Sequence, residues 1–294
     1  VPEILLWIIG VGLGISLLYL AIISLVVGIS VRPPRVFQFI SPGQLGVKQE
    51  EVHLQTEDGL KIGGWWCEAG DEVVIVACHG YLVNRCEFVP YSLAWHKEGY
   101  SCLFIDFRGH GRSQGATVTI GHNEARDVAV AVAEAKRRKP HAKIILIGSS
   151  MGAAASSFYA AQHPGVISGL FLDGPYSRLD HALHGWWTFI AGQWLSVIMA
   201  PSVFLARFFL KVDPKKVSPS ANLRKYDGPV LLTYGDRDEL CPPHLVAEME
   251  QAAGPNVHLE WFKDCGHGGG RYRDPERFLR LTLEFFDSVR RGDR

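Results

Sequence analysis

From residue 4 to residue 29 the chain reads ILLWIIGVGLGISLLYLAIISLVVGI, with no charged position. After that the pattern breaks into short pieces. Residues 51–56 and 60–68 flank Glu57-Asp58-Gly59, a hairpin signal. Residues 73–78, 101–106, 143–147, 169–172, 230–234 and 257–262 are compact apolar runs, as in strands buried on both faces. Helical patterns alternate with them. They cover residues 88–98, ending at Gly99, then 123–138 with an Ala/Val face and a basic last turn, and Ala-rich 151–162. Two more follow at 243–253 and 275–290. The predicted order is β-β-β-α-β-α-β-α-β, an interruption, then β-α-β-α. Alternation of this kind predicts a mainly parallel sheet of eight strands with helices on both faces.

The interruption, about residues 177–226, carries Trp186, Trp187, Phe189, Trp194, Phe204, Phe208 and Phe209. It falls between two sheet strands, where a helical lid would sit. So many rings are expected to roof something rather than stay in water.

As a helix, residues 4–29 would rise about 39 Å, more than the roughly 30 Å of a hydrocarbon core. A cleaved signal peptide would have a shorter apolar region and a positive start, whereas this run is preceded by Glu3. The expectation is a single transmembrane anchor over residues 1–31. Arg32 and Arg35 follow the span, which leans the body toward the cytoplasmic side. Gly10 and Gly14 form one GxxxG pair, a candidate face for a homodimer. Residues 32–50 hold Pro33, Pro34 and Pro42 and read as a linker or wrapping segment. Residues 51–294 form the body.

Composition narrows the function. Apolar residues make up 47% and charged ones 20%, which excludes disorder, and 30 Lys+Arg balance 30 Asp+Glu. No basic excess favours nucleic acid. The 6 Cys have no C-x-x-C spacing, so neither a disulfide scaffold nor a structural zinc site is expected. With no Walker loop and no GxGxxG after a strand, no cofactor is expected either.

The chemistry gathers at strand ends. Gly148-Ser149-Ser150-Met151-Gly152 matches G-x-S-x-G between a strand pattern and a small-residue helix, the setting of a nucleophile elbow at Ser150. The alternative is a tight Gly turn whose serine merely caps the helix. A serine needs a base. Of the 12 His, His267 in Gly266-His267-Gly268 follows the last strand. An acid belongs after the preceding strand, where Asp236, Asp238 and Glu239 compete. Asp238 is chosen, Asp236 is given the turn, and Asp264 is the outside candidate. An oxyanion would need donors: the amide of Met151, and that of Tyr81 in the loop Cys78-His79-Gly80-Tyr81. His79 is assigned to shaping that loop. Cys241 and Cys265 flank the acid and base loops, either bonded or, the favoured reading, as free thiols.

Taken together, HGY at 79–81, DFRGHGRS at 106–113, GSSMG at 148–152, the turn at 235–238 and GHG at 266–268 resemble the α/β-hydrolase superfamily over about residues 50–291. The likeness is to its membrane-anchored bacterial branch, near prolyl-oligopeptidase-like and acyl-thioesterase-like hydrolases. DGPYSRL at 173–179 and KVSPSANLRKY at 216–226 share it, and Cys241 departs from it, standing where an aliphatic residue is usual. The resemblance implies an α/β-hydrolase fold with a lid and esterase, thioesterase, lipase or peptidase chemistry. The expected activity is cleavage of a lipophilic ester or thioester near a membrane. Tyr176, Trp186 and Trp187 are candidate substrate-binding residues. Peptide or amide cleavage, and a non-catalytic receptor on the same fold, are the alternatives.

Overall fold

The computed structural model describes residues 2–293. Val1 and Arg294, the outer ends of the expected anchor and body, lie outside the described residues. Helix α1 (Pro2–Ser30) is long and apolar enough to cross a membrane. The chain then forms β1 (Glu50–Gln55), β2 (Lys61–Cys67), β3 (Val73–Cys78), α2 (Ser92–Lys97) and β4 (Ser101–Ile105). There follow α3 (Ala125–Arg138), β5 (Lys143–Ser149), α4 (Met151–Gln162) and β6 (Gly169–Asp173). The interruption is built of α5 (Leu179–Ala191), α6 (Gln193–Ile198), α7 (Pro201–Leu210) and α8 (Pro219–Leu223). The body closes with β7 (Val230–Gly235), α9 (Pro243–Ala253), β8 (Val257–Phe262), α10 (Gly270–Arg273) and α11 (Pro275–Arg291).

The eight strands form one sheet in the order β1-β2-β4-β3-β5-β6-β7-β8. The pairs β1–β2 and β2–β4 are antiparallel and the rest parallel. Strand β3 shows why both faces are apolar. Val74, Val76 and Cys78 enter one core cluster and Val73, Ile75 and Ala77 the other, as a two-residue period requires. The first cluster packs under α3 and α4, the second under α2 and α11. From β3 the chain crosses to β4 on one side and returns to β5 on the other. The loops leaving β3 and β5 therefore part, and the crevice at such a switch point is where open α/β sheets hold ligands.

Two expectations need correction. The helix expected over 88–98 is split into a 3-10 turn at Val89–Tyr91 and the short α2. Pro90 has no N–H to donate and favours such a start. The interruption does not put all its rings under cover. Trp187 is buried, but Phe189, Trp194, Phe204 and Phe208 are exposed. The helices are apolar on both sides, and only one side meets the body.

Of the two readings of residues 32–50, wrapping describes the structure. Arg35 donates to the carbonyls of His110, Gly111, Ser113 and Gly115, and the Asn84 amide donates to those of Val36 and Phe37. The strap thus fastens onto the loops after β3 and β4. Arg35→Ala is expected to lower unfolding free energy by about 1–2 kcal/mol, measured by urea denaturation. An unchanged midpoint would mean the strap carries no load.

Candidate active site

Ser150 follows β5 directly and caps α4 with φ 48° and ψ −106°. A side chain rarely adopts such a backbone, and it persists only where the surroundings impose it. The two flanking glycines supply the room. A Cβ on Gly148 would come within 2.6 Å of Gly152, and one on Gly152 within 2.1 Å of the Cys78 carbonyl oxygen. The Ser150 amide donates to the Asp173 carbonyl at the end of β6, 2.8 Å away.

His267 comes from the loop after β8. Its Nε2 lies 2.8 Å from Ser150 Oγ and its Nδ1 lies 2.8 Å from Asp238 Oδ2. Asp238, on the loop after β7, is buried and aimed by its other oxygen, Oδ1, which accepts from the amides of Leu240 and Cys241, each at 2.9 Å. The β7 and β8 loops lie tightly together: a Cβ on Gly235 would sit 2.2 Å from the Cys265 carbonyl oxygen. Asp236 accepts from the Cys265 amide, a loop-shaping bond, and Asp264 pairs with Arg237 at the surface. The structure thus brings together Ser150, His267 and Asp238 and leaves the two competing aspartates outside.

Ser150 and His267 open onto a cavity of ≈ 330 Å³, within the size range of small-ligand sites. Tyr81, Tyr176, Trp186 and Trp187 all line it. Tyr176 is also tied down, its hydroxyl donating to the Ile120 carbonyl, and Trp187 Nε1 donates to Ser202 Oγ. Met151 opens α4 with its side chain buried.

His79 is fully engaged. Its Nδ1 donates to the Gly80 carbonyl and its Nε2 accepts from the Phe107 amide. Burial pushes its pKa down to about 4, with the Gly80 bond opposing. His110 packs against it at 4.9 Å, and burial together with His79 takes its pKa down to about 3. Asp106 accepts from the amides of Arg85 and Arg112, while a Cβ on Gly111 would strike its carboxylate. In the structure, Asp106, Gly111 and Ser113 of the DFRGHGRS motif build a turn.

Sequence reasoning missed a buried charged cluster beside the site. Arg271 pairs with Glu87 and Asp173, and also donates to Ser149 Oγ at 3.0 Å. Glu87 accepts from the Gly80 amide at 2.7 Å, and Asp173 from Thr233 Oγ1 at 2.8 Å. Burial works against the charge on Arg271, but Glu87 and Asp173 raise its pKa overall. Burial raises Asp173, with Arg271 opposing. One guanidinium, carried by α10, thus joins the β3 loop, the elbow and the end of β6. The available signal was an arginine four residues after His267, in GHGGGR.

Asp238, Cys241 and His267 present three ligand-type atoms within 4.8 Å of one another. Their chemistry does not suit a cation. Asp238 and His267 are bonded to each other, and burial keeps the Cys241 thiol protonated, turned toward the carbonyls of Gly174 and Pro175. Cys241 and Cys265 are free thiols.

Residues 71–218 match the family model described as serine aminopeptidase, S33. The chain is 27% identical over 222 residues to YqkD, an uncharacterized protein of Bacillus subtilis, covering 73% of this chain and 71% of that one. It is 29% identical over 252 residues to a monoacylglycerol lipase of Mycolicibacterium smegmatis, covering 74% and 88%. Among solved structures, the Pyrococcus furiosus esterase Pf2001 aligns with a TM-score of 0.73 at 28% identity, over 88% of this chain and 97% of that one.

The buried histidines give a pH dependence with a definite sign. Unfolding frees His79 and His110 to take up protons near their ordinary value of 6.5, while the folded state resists until about 4 and 3. The stability these two neutral rings contribute is therefore full above pH 6.5 and falls as the pH drops from there toward 4. In urea titrations, His110→Phe should flatten that fall by on the order of 2 kcal/mol. A wild-type slope in the variant would count against a buried neutral His110.

Proposed function

The chain belongs to the serine aminopeptidase S33 family of α/β hydrolases, and from that premise we propose that it cleaves carboxylic esters of lipophilic acyl substrates through an acyl-enzyme on Ser150. One observation carries the reading: His267 bridges Ser150 Oγ and Asp238 Oδ2 at 2.8 Å on each side, at the wall of an apolar cavity. The likeness to an esterase and to a monoacylglycerol lipase supports it.

In the proposed reaction Ser150 Oγ attacks the ester carbonyl carbon as His267 Nε2 takes the hydroxyl proton. Asp238 holds the ring and stabilises the imidazolium. The amides of Tyr81 and Met151 receive the oxyanion. The carbon–oxygen bond to the alcohol breaks, and the alcohol leaves with the proton from His267. Water then attacks the acyl carbonyl and yields a proton to His267, which returns it to Ser150 as the acid departs. A thioester carbonyl would follow the same course with a thiol leaving. The cavity's aromatic wall of Tyr176, Trp186 and Trp187, under a lid of α5–α8, would hold the acyl group.

The family's description favours a second reading, release of an N-terminal amino acid. Such a substrate brings an ammonium group that needs a carboxylate. Glu87 is the carboxylate at the cavity, and it is committed to Arg271 and the Gly80 amide. This supports ester over aminopeptide cleavage.

We place α1 across a bilayer, with the body on the side of Arg32 and Arg35. Gly10 and Gly14 have open space beside them and would admit a second copy of the helix.

Ser150→Ala should cut p-nitrophenyl butyrate turnover by about a millionfold relative to wild type, while hydrolysis by that variant at the wild-type rate would end the assignment. Rates should be unchanged after EDTA treatment, and aminoacyl p-nitroanilides should be poor substrates. A loss of rate with chelator would point instead to a metal at Asp238, Cys241 and His267.

A further inference from the structure

Helix α1 is not of one kind along its length. Residues 2–22 are exposed throughout, whereas Ile23 and Val27, four residues apart on one helical stripe, and Val31 just past the helix, are buried. The exposed stretch rises about 31 Å, close to the thickness of a hydrocarbon core. If α1 spans a bilayer, the membrane surface falls near Ile23 and the following turns belong to the body.

Those turns reach the active site. Val27, Ser30 and Val31 line the same cavity as Ser150 and His267. Opposite them are Ser202, Ala206 and Leu210, again four residues apart, on α7. The two helices touch, since a Cβ on Gly28 would lie 3.1 Å from the Phe209 ring, and α1 also meets the end of α6, where the Tyr19 hydroxyl donates to the Ile198 carbonyl. The Tyr81 hydroxyl donates to the Ser30 carbonyl, fastening the proposed oxyanion loop to the end of α1.

The outer side of the same insertion is what a membrane surface would cover. Trp194, Val197, Phe204 and Phe208 are exposed by 59% or more. The Arg207 guanidinium lies over the Phe204 and Phe208 rings at 5.2 and 5.7 Å, and Lys211, Lys215 and Lys216 follow, exposed. Aromatic rings backed by cations suit the interface and its phosphate groups. The Tyr19–Ile198 bond sets this insertion against α1 at the level where the exposed stretch ends.

We propose that α1 completes the acyl-binding wall, and that a single acyl chain passes from the membrane leaflet between α1 and α7 to Ser150. The inference rests on the esterase reading above and adds the substrate class: a membrane-resident, single-chain lipid ester. Val27 and Val31 set how much chain is accepted. A cavity of ≈ 330 Å³ is at the small end for ligand sites and suits one chain rather than two.

The test uses the full chain in phosphatidylcholine–phosphatidylglycerol nanodiscs, with p-nitrophenyl butyrate and p-nitrophenyl palmitate as substrates. Val31→Phe should lower the palmitate-to-butyrate ratio of kcat/KM by about tenfold or more. Val27→Ala, which cannot overfill the wall, should raise the palmitate-to-butyrate ratio. Phe204→Asp/Phe208→Asp, outside the cavity, should slow palmitate hydrolysis and spare butyrate. Fluorophosphonate labelling of Ser150 identifies variants with an intact site. Parallel changes in both substrates, or none, in labelled Val31→Phe and Val27→Ala would overturn the role of α1. Absence of any Ser150-dependent hydrolysis by wild type would instead overturn the esterase reading, and this inference with it.

Discussion

Everything at the site depends on a backbone bend that an ordinary residue avoids. Ser150 has φ 48°, a conformation costing on the order of 1–3 kcal/mol. The bend is kept because strand β5 runs into helix α4 without a loop between them. Gly148 and Gly152 allow neighbouring backbone to close around it, and the Ser150 amide is taken by the Asp173 carbonyl. Released from these contacts, Ser150 would relax and its hydroxyl would leave the reach of His267. The strain therefore keeps the hydroxyl raised at the edge of the crevice where the sheet's connections diverge.

A second constraint holds the surroundings of that bend together. The charged cluster of Arg271, Glu87 and Asp173 is buried, where an unmatched charge would be costly. It is matched on both sides, and Asp173 also accepts from Thr233 on β7, Glu87 from the Gly80 amide of its own loop. Four chain segments are thereby held in register beneath Ser150. His79 and Asp106 do similar work with neutral and charged bonds in the neighbouring loops. Much of what looks like chemistry in the motifs is backbone support.

The apolar excess lies on the opposite side. The insertion after β6 gives one face to the cavity and leaves another uncovered, next to the end of α1. These features share a physical cause. A helix apolar all round cannot be satisfied by one contact, so a second apolar surface must take the remainder. A bilayer beside α1 would serve both helices.

What the sequence alone determined is local. Two-residue alternation and short apolar runs sufficed for all eight strands, because side-chain direction follows from spacing. The G-x-S-x-G pattern marked the bend because glycine is demanded within two residues of it. Chain order pointed to Asp238 and His267, which lie within hydrogen-bond distance of each other in the structure. What required the tertiary structure is contact across long separations. Ser150 and His267 are 117 residues apart, Glu87 and Arg271 184. No periodicity records which distant groups will meet, because sheet order and loop closure decide it. For the same reason α1 read as a uniform apolar run, and only packing against α7 and Tyr81 divided it into a stretch that faces outward and a stretch that walls the cavity.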